Sequence, residues 1–101
     1  MIIRLHQDSN AEIINPYDLK GFHIEANGIA QDKDDIEKAI KEFAKFEAPD
    51  PAWVSYSALL NWAALVEDAK FQDSLKDLKA AAIKYGWYDD DTDAIKAHIE
   101  Y

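Results

Sequence analysis

The chain has no cysteine, a single arginine (Arg4) and only three glycines. Each scarcity closes off a class of chemistry. Without cysteine there are no disulfides, no thiolate nucleophile and no thiolate metal site. With one arginine and no lysine cluster, the chain lacks the cationic surface that neutralises phosphates, so direct binding of nucleic acid is disfavoured, as is adhesion to anionic membranes. There is no glycine-rich phosphate loop, no G-x-S-x-G and no H-E-x-x-H. Long hydrophobic runs are missing too. The longest apolar stretch, Trp53 to Val66, is interrupted by Ser55, Ser57 and Asn61 and is too short and too polar to span a bilayer. The opening MIIRLHQDSN alternates and soon turns acidic, unlike a signal peptide, and this predicts a cytoplasmic setting.

What is present is acid and apolar surface. Twenty Asp and Glu face eleven Lys and Arg, for a net charge of −9 over 101 residues. A field of that sign attracts a positively charged partner, although it also serves solubility alone. About half the residues are apolar. This is enough for one modest core, so residues 1–101 are read as a single domain.

Residues 1–30 differ in texture from residues 31–101. Met1 to Leu5 is apolar and β-branched, and Lys20 to Ala26 alternates, with Phe22 and Ile24 on one face and His23 and Glu25 on the other. Asp8-Ser9-Asn10 and Asn27-Gly28 carry turn chemistry. A small N-terminal antiparallel β element is the expectation here. From Asp32 the period becomes helical. Ile36, Ala39, Ile40, Phe43 and Ala44 form a stripe that predicts a helix running to Ala48-Pro49, with Asp32, Asp34 and Asp35 in its first turn. Asp50 as N-cap and Pro51 at the first helical position predict a second helix, PAWVSYSALLNWAALVEDAKF, apolar nearly all round and therefore central. In it Trp53, Tyr56 and Trp62 are core candidates, and Ser55 and Ser57 are expected to bond back to helix carbonyls. A third helix is predicted near Asp73 to Tyr85. Its stripe is Phe71, Leu75, Leu78, Ala82 and Tyr85, with Gly86 as a left-handed C-cap. Asp91 or Thr92 can cap a short last helix with Ile95 and Ile99 inward. The fold class expected is thus α+β and helix-dominated: three main helices, a short C-terminal one and the β element.

The richest stretch is WYDDDTDAIKAHIEY. Asp89, Asp91 and Asp93 occupy positions one, three and five of a calcium loop, and Glu100 falls at position twelve. Ala94 stands where that loop requires glycine. An Ala94–Tyr101 helix would also carry Glu100 roughly 10 Å from the aspartates. An acidic helix start is the simpler reading, and no cofactor or metal is assigned. His6, His23 and His98 can in principle ligate a metal, yet no two are spaced three or four apart. Carboxylate acid–base catalysis has no specific support. Trp87 and Tyr88 sit between Gly86 and the aspartates, where two rings beside dense negative charge make an epitope for a basic protein; a Schellman-type cap that buries Trp87 is the equal alternative.

The functional expectation is therefore a non-catalytic, acidic protein-binding domain. Its epitope is Trp87, Tyr88, Asp89, Asp90, Asp91 and Asp93. Its partner is a protein with a basic surface, as for an immunity protein, an antitoxin or a phage-encoded inhibitor of a nucleic-acid-handling protein. The alternatives are an accessory subunit of a larger assembly, and a calcium-binding protein using the C-terminal aspartates.

Overall fold

A computed structural model of the chain describes residues 1–6, 10–26, 33–47 and 50–101. The turn at Asp8-Ser9, the turn at Asn27-Gly28, the helix start at Asp32 and the stop at Ala48-Pro49 lie outside the described residues. The elements run β1 (Ile2–Leu5), β2 (Ala11–Ile14), β3 (His23–Glu25), α1 (Lys33–Ile40), β4 (Ala44–Phe46), β5 (Ala52–Ser55), α2 (Tyr56–Leu60), α3 (Ala69–Tyr85), β6 (Tyr88–Asp89) and β7 (Ala94–Glu100).

The expected helix-dominated class is overturned. The molecule is a mostly sheet half-barrel with one main helix. Its strands are ordered β2-β1-β3-β7-β5-β4, with β6 also pairing β7. The N-terminal part is not a separate antiparallel element either. β1 pairs β2 antiparallel but β3 in parallel, and β3 pairs β7 in parallel. The last strand of the chain thus lies at the centre of the sheet.

Two helix predictions, the short C-terminal one and the long central one, fail for identifiable reasons. In β7, Ile95, Ala97 and Ile99 are buried while Lys96, His98 and Glu100 are exposed. Residues four apart share a face both in a helix and in a strand, so Ile95 and Ile99 fit either period. The intervening Ala97 decides, because a helix would turn it outward. In β5, Ala52 and Val54 face the core, and Trp53 and Ser55 face away. The helical stretch that follows is only five residues long, and the Ser55 hydroxyl caps it by accepting from Ala58 N at 3.2 Å. Ser55 is therefore an N-cap rather than a mid-helix residue. Asp50 caps no helix. The Asp50–Pro51 peptide is cis, and the Asp50 carboxylate accepts from Ile99 N at 2.7 Å, continuing the β5–β7 ladder. The first helix stops at Ile40, and Ala44–Phe46 instead pair with Phe46↔Ala52 and Ala44↔Val54 as an edge strand.

The third helix forms as the stripe predicts, only longer. Asp68 is its N-cap, accepting from Phe71 N at 3.1 Å. Gly86 ends it at φ 77°, and Gly86 N and Trp87 N donate back to Ile83 O and Ala82 O. This is the double return bond of a Schellman cap. Phe71, Leu75, Leu78 and Ala82 are buried against the inner sheet face, where Ile3, Ile24, Ile95 and Ile99 lie. Trp53 and Trp62 are only partly buried, so the expectation of two core tryptophans is corrected. Trp62 meets Phe43 edge-on at 5.4 Å between ring centroids, and Trp53 donates its indole N–H to Glu47 at 2.7 Å. Among the described residues, no helix is long and apolar enough to cross a membrane.

Candidate functional site

The sheet register sorts the outward side chains into rows. Lys45, Trp53 and Lys96 are partners across β4, β5 and β7. Trp87 continues the row, since its carbonyl accepts from Lys96 N at 2.8 Å. Beside it, Ser55, Ala94 and Asp89 form a second row. Trp53, Ser55, Asp89 and Thr92 line a concave groove of about 530 Å³ with Phe43 and Phe46.

The predicted epitope divides into an outer and an inner part. β6 and β7 form a hairpin with Tyr88↔Ile95 and Asp89↔Ala94 in register, so Asp90 to Asp93 make a four-residue loop and no helix starts there. Asp93 closes it at φ 52°, a left-handed conformation that aspartate tolerates better than most residues. Tyr88 shares the inner face with Ile95. Its hydroxyl donates to Asp93 Oδ1, and Lys79 Nζ lies 3.2 Å from the same oxygen. The Lys79 ammonium also sits 4.6 Å from the Tyr56 ring centroid and 5.1 Å from that of Tyr88. Tyr88 and Asp93 thus clasp the hairpin to α3.

The outer part is Trp87, Asp89, Asp90 and Asp91. Trp87 is 50% exposed and stacks at 5.2 Å on Tyr85, itself 59% exposed. The expectation of Tyr85 in the core stripe is corrected: its ring faces solvent beside Trp87, next to the Gly86 cap. Asp90 and Asp91 are exposed and make no ion pair among the described residues. Asp89 accepts from Asp91 N at 3.1 Å and from Thr92 Oγ1 at 2.9 Å, which stiffens the loop. One ligand atom from each of Asp89, Asp90 and Asp91 falls within 4.8 Å of the others. Glu100 does not join them. It lies at the far end of β7, six residues beyond Ala94 or about 20 Å along an extended strand, so the twelve-residue calcium loop does not form.

Two carboxylates tied into the fold, Asp93 and Asp68, have lowered pKa values. The Tyr88 hydroxyl, then the Lys79 ammonium, hold Asp93 below the usual aspartate value, while Tyr88 and Lys79 are both raised, chiefly by Asp93. Asp68 is lowered first by the Tyr17 hydroxyl and then by Phe71 N–H. A depressed folded pKa contributes stability that is present above the unfolded value of about 3.9 and lost as pH falls through the folded pKa. The thermal midpoint is therefore expected to fall as pH drops below about 4. Asp68→Asn keeps an N-cap acceptor but removes that titration, so its midpoint should depend less steeply on pH between about 4 and 2 than the wild type's. Equal slopes in paired melting curves would count against the linkage.

Each histidine stands beside a carboxylate. His6 Nε2 lies 2.9 Å from Glu12, His23 Nε2 lies 3.3 Å from Glu100, and His98 Nδ1 lies 3.1 Å from Asp50. His23 and His98, distant in sequence, are direct register partners on neighbouring strands. Only the alternation of KAHIE with FHIE hinted that both rings share one face. Compared with known proteins, the chain matches no family model, no curated protein and no solved structure.

Proposed function

We propose that the protein is a non-catalytic cytoplasmic binding domain that uses the outer side of the β6–β7 hairpin to engage a protein with a basic surface, as an inhibitor of that target does. One observation carries the reading. A stacked, half-exposed Tyr85–Trp87 pair stands at the base of a stiffened loop bearing Asp89, Asp90 and Asp91. Exposed rings supply contact area that binding desolvates, and unpaired carboxylates steer a cationic partner to them. Tyr88 and Asp93 contribute by holding the hairpin in place.

The test is capture of partners from the native host at low salt, followed by surface-based kinetics at two salt concentrations. Replacing Asp89, Asp90 and Asp91 together by asparagine should slow association and flatten its salt dependence, with the far-UV circular dichroism unchanged. Trp87→Ala should instead speed dissociation, because an aromatic anchor acts after encounter. Unchanged rates in the triple variant at low salt would make the loop an ordinary solvated turn. Recovery of the chain only as a self-associated species would favour the accessory-subunit reading.

A further inference from the structure

We propose that the open edge of β4 docks an extended segment of the partner that carries lysine and arginine, and that this segment joins the sheet as a further strand. The inference rests on the reading of a basic protein partner and names the form in which part of it binds.

β4 ends the sheet. β5 lies on one side of it, and no strand lies on the other among the described residues. The hydrogen bonds between β4 and β5 show which backbone groups face the open side. Ser55 N donates to Phe43 O at 2.8 Å, and Glu47 N donates to Pro51 O at 2.9 Å. In an antiparallel pair, bonded and non-bonded residue pairs alternate. Phe43, Lys45 and Glu47 therefore turn their backbone groups toward β5. Ala44 and Phe46, opposite Val54 and Ala52, turn theirs away from it. Their N–H and C=O groups form the row of donors and acceptors to which an added strand pairs.

Two concave grooves border this edge, and both are lined by Lys41, Ala44, Lys45 and Phe46. The larger, about 530 Å³, reaches across the outer face to Trp53, Ser55 and Asp89. The smaller, about 330 Å³, reaches Glu37 of α1. Successive side chains of a strand point to opposite faces, so two grooves along one edge suit alternate residues of the segment. Edge pairing of this kind takes its affinity from the main chain and its specificity from such side-chain pockets.

Charge selects the occupant. Glu37, Glu42, Glu47 and Asp89 line the grooves against Lys41 and Lys45, so the local excess is negative. The whole chain carries −9. A second copy pairing edge to edge would bring two such fields together, whereas a cationic segment is drawn in. Phe46 and Trp53 give apolar walls along which lysine and arginine stems can lie. Asp89 belongs both to the larger groove and to the hairpin, so a partner steered to the hairpin arrives beside this edge.

The probe is the capped peptide Lys-Val-Arg-Val-Lys-Val, titrated into the ¹⁵N-labelled chain and followed by ¹H–¹⁵N correlation. The amides of Ala44 and Phe46 should move most, and that of Lys45, already turned to β5, least. Ala44→Pro removes an outward N–H and leaves the β5 ladder intact, so the variant should fold and bind the peptide about tenfold or more weakly. If it does not fold, alternate N-methylation of the peptide replaces it: methylating the amides that face β4 should abolish binding, and methylating the other set should not. The same peptide with glutamate at its lysine and arginine positions should not bind. The proposal is overturned by binding that survives Ala44→Pro, by equal binding of the glutamate peptide, or by no shift at millimolar peptide. Concentration-dependent shifts of Ala44 and Phe46 without peptide would also overturn it, with a second copy as the occupant. The hairpin reading fails separately, if the peptide still pairs with β4 while asparagine at positions 89–91 leaves the partner's kinetics unchanged.

Discussion

Replacing Ala97 by glutamate is expected to unfold the domain or nearly so. Ala97 is fully buried at the centre of the sheet, facing Ala52, which is also fully buried. A carboxylate there has neither water nor an ionic partner, and an uncompensated buried charge costs at least about 3–5 kcal/mol. Domains of this size hold only about 5–15 kcal/mol in total. The adjacent Lys96→Glu, on the exposed face, should stay within about 0.5 kcal/mol of wild type. The pair also tests the architecture. In a terminal helix with Ile95 and Ile99 inward, position 97 would face solvent and accept glutamate easily. Far-UV circular dichroism and urea titration of both variants decide between strand and helix. A stable Ala97→Glu variant would refute the central strand.

The second large effect is expected at Phe71. It is the largest fully buried side chain and sits in the first turn of α3. Phe71→Ala removes the transfer free energy of the ring and leaves a cavity that the surrounding core closes only in part, a loss of about 3–5 kcal/mol. At about 4–8 °C per kcal/mol for a domain near this length, the melting temperature should drop by more than about 12 °C. Trp53→Ala should cost much less, because its ring lies on the outer face, held by one bond to Glu47. Differential scanning calorimetry of the two variants gives the ranking. The reverse order would mean that the tryptophan, and not the phenylalanine, anchors the core.

These expectations separate what one-dimensional pattern carries from what it does not. Helix α3 was legible because its signals agree. Phe71, Leu75, Leu78 and Ala82 repeat at helical spacing, and Gly86 supplies the left-handed stop. β1 and β3 were legible from alternation and β-branched residues. Within the Trp87–Asp93 stretch, Trp87, Asp90 and Asp91 were legible as exposed, since a glycine-capped helix end sits at the surface, whereas Tyr88 and Asp93 were not legible as inward-facing.

β5 and β7 were not legible. Ile95 and Ile99, or Val54 with its neighbours, satisfy two periods at once, and local propensity is too weak to choose between them. The choice was made by partners far along the chain. β7 becomes a strand because β3 and β5 supply hydrogen-bonding edges on both sides, and burying Ile95, Ala97 and Ile99 between them gains more than an isolated eight-residue helix can. The same pairing placed His23 beside His98 and Trp53 beside Lys96, and turned Tyr88 and Asp93 inward to Lys79. By itself the sequence determined an acidic, cysteine-free chain with one strong helix and an exposed acidic turn. Which strand became central, and which side chains share a face, was decided only in three dimensions, because register is a relation between segments that no single segment encodes.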